Sequence, residues 1–226
     1  MRALAIDTAT EMCSVSLSVS GEILSREVLA ANRHSSIVLA MVDELLAEAE
    51  LTLNQLDLLV NDVGPGSFTG IRIGLGVAQG LAYGADLPLL GVDALSALAK
   101  GVESTNDNVL AMIDARMGQI YWGRFAYQAG MPVLQGTLHL SEPTGLSGIE
   151  CPLHVVGSGW DAYTESLSDL LTVAAFSTER FPLASHGLAL ALNQPQSNWV
   201  SAGELRPVYL RNDVAKVSRK PGLLIK

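Results

Sequence analysis

Arg2-Ala3-Leu4-Ala5-Ile6-Asp7-Thr8 is a short apolar run closed by an acid and a hydroxyl, and Val109-Leu110-Ala111-Met112-Ile113-Asp114 repeats the pattern in the second half of the chain. Each reads as a buried strand whose last residue, an aspartate, opens a turn. Leu4-Ala5-Ile6-Asp7 lies over Ala111-Met112-Ile113-Asp114. The segments downstream of the two runs are alike as well. After the first come an alternating strand, Cys13–Val19, a turn at Gly21, and a third strand over Glu22–Leu29. After the second come Gln119–Tyr127 and Pro132–Leu140, with turns at Arg116-Met117-Gly118 and Ala129-Gly130. Turns this short imply antiparallel meanders.

Between the two repeats the pattern changes period. A helix is expected from Ser35 to Ala49, with Val38, Val42, Leu45 and Ala49 on one face and Ser35 or Ser36 as its cap. Leu56–Val63 reads as a strand, Phe68–Tyr83 as a helix and Pro88–Val92 as a strand. Asp93 then caps a short helix reaching Lys100. The polar run Glu103–Asn108 reads as a linker, which divides the chain into lobes of residues 1–102 and 103–226. In the second lobe Leu153–Val156 and Leu171–Phe176 are expected strands, Trp160–Leu167 and Ser185–Leu192 expected helices, and Gln194–Trp199 a loop. A strand–hairpin unit used twice within an α/β chain resembles the actin-like fold of sugar kinases, Hsp70 and actin, built from two duplicated ribonuclease-H-like lobes. Two unrelated α/β lobes are the alternative.

The bulk composition sets limits. Of 226 residues, 49% are hydrophobic and 16% charged, so the chain can bury a substantial core. No apolar run approaches the roughly 20 residues that cross a bilayer. The first residues pass directly into a strand, without the pattern of a secretory signal. The expected location is the cytoplasm, and Cys13 and Cys151 are expected to be free thiols there. A net charge of −9 argues against holding RNA unaided. The local exception is the C-terminal stretch with Arg211, Lys216, Arg219, Lys220 and Lys226, which reads as a solvated end or as an RNA contact.

Candidate chemistry is sparse. Phosphate cradles use glycine because backbone N–H groups must approach oxygens closely. The first hairpin opens with Asp7-Thr8-Ala9-Thr10 and the second with Asp114-Ala115-Arg116, both without glycine at that point. Gly157-Ser158-Gly159 is either an adenosine contact or a strand-to-helix turn. The nucleotide-facing candidates are therefore Asp7, Thr8, Asp114, Arg116, Gly157 and Gly159. The histidines, at 34, 139, 154 and 186, show no helical ligand spacing, and no Cys-x-x-Cys or Gly-x-Ser-x-Gly occurs. Catalytic and metal sites are thus read as absent. The most informative segment is Gly64-Pro65-Gly66-Ser67-Phe68-Thr69-Gly70-Ile71-Arg72-Ile73-Gly74, continuing to Tyr83. Gly70, Gly74, Gly76 and Gly80 lie inside a helix pattern, each at a cost of about 1 kcal/mol. Close approach of another backbone is the natural reason for them.

Several of these segments resemble the TsaB (YeaZ) family, bacterial subunits of the threonylcarbamoyladenosine tRNA-modifying machinery. They are Leu4–Ala9, Arg33-His34-Ser35, Gly64–Gly74, Asp114–Tyr121 and Pro207-Val208-Tyr209-Leu210-Arg211. The resemblance implies a TsaD-type catalytic partner, help from a TsaE-type ATPase, and tRNA bound only within the complex. ATP or ADP is expected, if anywhere, at the complex, and the glycine strips of the 68–83 helix meeting about a two-fold axis would give a homodimer in isolation. TsaD-type subunits carry a His-x-x-x-His metal pair where this chain has Asp93 and Ala97. A carboxylate and a methyl group cannot replace two imidazoles, so a scaffold role is expected. The competing readings are a stand-alone ATPase or phosphotransferase, and a protease acting on its partner. The partner surface is expected on the helices 35–49 and 68–83, through His34, Val38, Val42, Phe68, Ile71, Gly74, Val77, Ala78 and Leu81.

Overall fold

The computed structural model describes residues 1–30, 32–102, 108–146, 149 and 151–211. Most of the expected linker and the basic positions Lys216, Arg219, Lys220 and Lys226 lie outside the described residues.

The two repeats build two sheets of the same plan. In the first, β1 (Ala3–Asp7), β2 (Met12–Val19) and β3 (Glu22–Leu29) form an antiparallel meander. β4 (Leu58–Asp62) and β5 (Leu89–Val92) add parallel to the other side of β1, giving the order β3-β2-β1-β4-β5. In the second, β6 (Val109–Asp114) pairs antiparallel with β7 (Ile120–Gln128), which pairs with β8 (Met131–Leu134) and with β9 (His139–Ser141). β10 (Leu153–Val156) and β11 (Val173–Phe176) continue parallel on the other side of β6, so the path is β11-β10-β6-β7-β8. Matching order and matching strand directions make this the duplicated, actin-like α/β fold. The expected strand Pro132–Leu140 is two pieces, β8 and β9. Gly136 stands between them at φ +91°, a conformation that breaks the pleat and turns the chain.

α1 (His34–Glu48) and α2 (Phe68–Ala85) cover one face of the first sheet, where Val38, Leu45 and Ala78 meet Leu4, Ile6 and Val15. α5 (Ala184–Ala191) covers the opposite face. α3 (Ala94–Lys100) is shared: Ala97 faces the first sheet, while Leu95 and Leu98 pack with Val109, Ala111 and Phe125 of the second. α4 (Ser158–Ser168) lies on the second sheet. Asp93 caps α3 through the Ser96 N–H at 2.8 Å, and Ser67 caps α2 through the Gly70 N–H at 3.2 Å. Neither serine caps α1. Its first flanking residue is Arg33, and the Ser36 hydroxyl already belongs to the first turn, donating to the Arg33 carbonyl at 2.8 Å.

After β11 the chain returns to the first lobe. α5 packs there, Val200 pairs with Leu89, and Leu205 enters the first core. The Val208 N–H then donates to the Val63 carbonyl at 2.7 Å. This C-terminal strap ends on the second lobe, where the Arg211 guanidinium donates to the Ala115 carbonyl (3.0 Å) and to Gln119 Oε1 (2.8 Å). Both cysteines are free.

Candidate functional site

A cleft of about 560 Å³ opens between the lobes. One wall is the turn after β1 (Ala9, Thr10, Glu11), His34 and the N-terminal turn of α2. The other is Ile113–Arg116 with Tyr121, and the strap residues 208–211 close one side. Asp114 and Arg116 line it. Arg116, though, is already engaged: its guanidinium pairs with Asp114 Oδ2 at 3.1 Å and reaches across the cleft to Glu11. Asp114 also accepts from the Tyr163 hydroxyl at 3.2 Å. Tyr121 sits beside the cleft with its hydroxyl pKa raised by burial, partly offset by Arg211.

The other nucleotide-facing candidates stand elsewhere. Thr8 is buried beneath α2, where its hydroxyl donates to the Gly70 carbonyl at 2.8 Å. Asp7 is buried at the end of β1, and its Oδ1 accepts the Ala9 N–H at 2.9 Å. Gly157 takes φ +107° and Gly159 comes two residues later. A Cβ on either would run into Met112, so they serve close packing of α4 on β6. Spacing alone could not separate these packing glycines from a nucleotide loop.

The glycines of the α2 segment divide into two sets. Gly66, Gly70 and Gly74 face inward. A methyl at Gly66 would overlap the Ala9 carbonyl oxygen, and one at Gly70 that of Thr8. At Gly74 it would sit 2.5 Å from Thr8 Oγ1 and 3.1 Å from Asn61 Oδ1. These three let α2 lie directly on the ends of β1 and β4. Gly76, Gly80 and Gly84 face outward, with nothing within 4 Å of a built Cβ. They are spaced one turn apart and form an open groove along the exposed side of the helix. Beside them Tyr83 is 86% exposed. At the N-terminal end of the helix the Arg72 guanidinium lies 3.3 Å over the Phe68 ring, whose centroid is 5.7 Å from that of Tyr209.

This placement corrects the expected partner surface. His34, Val38, Val42, Ile71, Gly74 and Ala78 are buried inside the chain's own fold. Val77 and Leu81 are half-buried, and Phe68 is exposed. An all-round apolar helix shows period 3.6 on every side, so periodicity could not say which side met the sheet. Gly76 and Gly80, singled out in the sequence for close approach, do face outward, and with Arg72, Tyr83 and Gly84, which were not singled out, they make up the exposed side of the helix. The i, i+4, i+8 spacing of the three glycines was the available signal. At the positions where TsaD-type subunits carry the histidine pair, Asp93 caps α3, its pKa raised by burial. Ala97 is buried. Among the described residues no three His, Cys, Asp or Glu side chains converge on one point.

Comparison with known proteins places this geometry. A tRNA threonylcarbamoyladenosine biosynthesis protein TsaB from Haemophilus influenzae is 38% identical over 224 residues, covering 93% of this chain and 94% of that protein. The chain belongs to the TsaB family. The Escherichia coli K12 TsaB is 37% identical over 226 residues, covering 95% of this chain and 96% of that one. Residues 23–217 also match the family model described as TsaD: tRNA N6-adenosine threonylcarbamoyltransferase. The solved structure of YeaZ from Pseudomonas aeruginosa superposes with a TM-score of 0.84 at 35% identity, covering 92% of this chain and 99% of that one. The TsaB family's curated members are named for biosynthesis of threonylcarbamoyladenosine in tRNA. No described helix is long and apolar enough to cross a membrane.

Proposed function

We propose that this TsaB-family chain is a non-catalytic scaffold. It docks a TsaD-type catalytic subunit, which, with a TsaE-type ATPase, transfers threonylcarbamoyl from its adenylate to an adenosine beside the tRNA anticodon. The observation that carries the proposal is the outward face of α2. Gly76, Gly80 and Gly84 give a groove in which a second helix can approach closely, and Tyr83 and the Arg72–Phe68–Tyr209 cluster supply large contacts beside it. Aromatic and arginine side chains dominate binding energy at protein interfaces. A surface-helix residue gains nothing from being glycine, so three in one stripe point to a partner.

Two further observations support the scaffold role. The positions that hold metal-binding histidines in TsaD-type subunits are a helix cap, Asp93, and a buried methyl, Ala97. Arg116 is paired with Glu11 and Asp114, and Thr8 is buried under α2. Nucleotide therefore enters at the complex, with the ATPase, in the cytoplasm where tRNA is modified. tRNA is held by the assembly, in keeping with the chain's net charge of −9. In isolation, the same groove pairs two copies of the chain about a two-fold axis, so homodimer and heterodimer compete.

Reconstitution tests the proposal. TsaD-type subunit, TsaE-type ATPase, threonylcarbamoyl adenylate and tRNA should give modified adenosine only when this chain is added, and the chain alone should neither modify tRNA nor hydrolyse ATP. Modification at full rate without it, or steady ATP turnover by the isolated chain, would replace the scaffold reading with the enzymatic one.

A further inference from the structure

β1 and β4 run parallel with Ile6 opposite Asn61, and one more step of that register sets Asp7 beside Asp62 on the same face of the sheet. Both side chains are buried. Each ties down the next turn of the chain with one oxygen: Asp7 Oδ1 accepts the Ala9 N–H at 2.9 Å, and Asp62 Oδ1 accepts the Gly64 N–H at 2.6 Å. The remaining oxygens, Asp7 Oδ2 and Asp62 Oδ2, are buried without a donor among the described residues. The register therefore sets two buried carboxyl groups side by side, each with one orphaned oxygen. Two carboxylates cannot bond without a proton between them.

The surroundings offer no cation among the described residues. From β2, Ser14 stands opposite Asp7, its hydroxyl accepting the Ala184 N–H at 2.8 Å, while Cys13 lies on the other face of the sheet, its thiol pushed up to about 11 by burial and then by the negative charge of Asp7. At the start of α3 stands Asp93, another acid, whose charge acts on Asp62. The rest of α3 presents Ala97, and α5 presents Leu183, Ala184 and Gly187 around a void of about 10 Å³ beside the pair. That space is too small and too apolar to complete the oxygen shell of a hard cation. A buried carboxylate without a cation or several donors is stabilised most simply by a proton held between two acids.

We propose that Asp7 and Asp62 share one proton in the folded protein, and that this proton ties the turns after β1 and β4 into a single pH-sensitive seat for α2. The seat is direct. The turn held by Asp7 carries the Thr8 and Ala9 carbonyls on which Gly70 and Gly66 lie, and Ala9 accepts the Ser67 N–H at 2.7 Å. The turn held by Asp62 carries Gly64, which leads into α2. Burial pushes Asp7 up to about 6, even with the hydrogen bond from Asp62 opposing it. Asp62 is raised well above the usual carboxylate range, by burial first and by the charge of Asp7 second. Asp62, the more strongly raised of the two, is the group that holds the shared proton.

Both shifts are upward, and this sets the sign of the pH effect. In the unfolded chain both aspartates ionise near pH 4. Folding at neutral pH takes up one proton. The stabilisation is fully present below pH 4 and is lost as pH rises, through about 6 for the share of Asp7 and higher for that of Asp62. While Asp62 alone holds the proton, the unfolding constant rises about tenfold per pH unit.

Urea unfolding followed upward from about pH 6 tests this on the full chain, since stability should fall with a slope of about one decade per pH unit while Asp62 keeps its proton. In Asp62→Asn an amide N–H replaces the shared proton, and the slope should fall to near zero with the fold intact. An Asp62→Asn slope equal to that of the wild type overturns the proposal. A second measurement needs no variant. Carbon NMR of aspartate-labelled wild type should show the Asp62 carboxyl in its protonated position at about pH 6, where Asp7 titrates, and ionised in urea at the same pH. An ionised Asp62 in the folded protein at that pH overturns the proposal equally.

Discussion

The turns after β1 and β6 begin with the same hydrogen bond. In each an aspartate Oδ1 accepts the amide two residues on, from Ala9 at 2.9 Å and from Arg116 at 2.8 Å. Beyond that bond they differ. Asp7 is buried against a second acid and holds the floor under α2. Asp114 opens toward the cleft and gathers partners of opposite character, the Arg116 guanidinium and the Tyr163 hydroxyl. The next residue repeats the contrast. Thr8 uses its hydroxyl to hold α2 through the Gly70 carbonyl, whereas Ala115 has no side chain to offer and lends its carbonyl to Arg211 of the strap. A duplicated turn has thus become a helix seat in one lobe and a polar cleft wall in the other. A motif's local geometry does not settle its role. The neighbours that desolvate or neutralise its acid do.

The contrast can be broken hardest at the glycines. Gly70→Ala sets a methyl against the Thr8 carbonyl, and neither backbone can yield without lifting α2. In the second lobe, Gly157→Ala at the start of α4 meets the Met112 carbonyl of β6 and adds strain at φ +107°. Each should destabilise by roughly 3 kcal/mol or more, lowering the midpoint in thermal or urea denaturation. A Gly70→Ala protein with the wild-type midpoint would mean that α2 is not seated on this turn. Thr8→Val removes one buried hydrogen bond and leaves the Gly70 carbonyl without it, a loss of about 1 kcal/mol. Ala115→Ser should recover nothing in the second lobe, because no helix carbonyl lies in wait there; a stabilised Ala115→Ser would erase the contrast between the turns. The smallest effect belongs to Arg116→Ala. Its bridge to Glu11 is largely exposed on both sides, so the change should stay under about 1 kcal/mol and shrink further in high salt.

Much of this architecture was legible in the residues. Alternation in Cys13–Val19, the cap Asp93, and the recurrence of an apolar strand closed by aspartate placed the elements to within a few positions and implied the duplication. The cleft was legible only in part. Asp114 and Arg116 line it, but Asp7 and Thr8 sit in an equivalent sequence position and turn into the core instead. Nothing local distinguishes the two hairpins. What separates them is α2, whose inner glycines come from another part of the chain. The same limit applied to α2 itself: a helix apolar on every side gives no reading of which side is covered, and six of the nine residues expected at a partner surface proved to be core. Asp62 raised no signal at all, since an acid at a strand end is ordinary until a second acid is folded beside it.

The scaffold role rests most heavily on the outward groove of α2. Gly74→Arg cannot test it, because position 74 packs on Thr8 and Asn61 and the variant would fail as a fold. Gly80→Arg can, since nothing lies within 4 Å of a side chain there. Circular dichroism should show a folded Gly80→Arg protein with a melting temperature near that of the wild type. Calorimetric titration with the TsaD-type subunit should then show binding weakened at least tenfold, a loss of about 1.4 kcal/mol or more. Wild-type affinity in the folded variant would contradict the scaffold role as drawn and take α2 out of the partner surface.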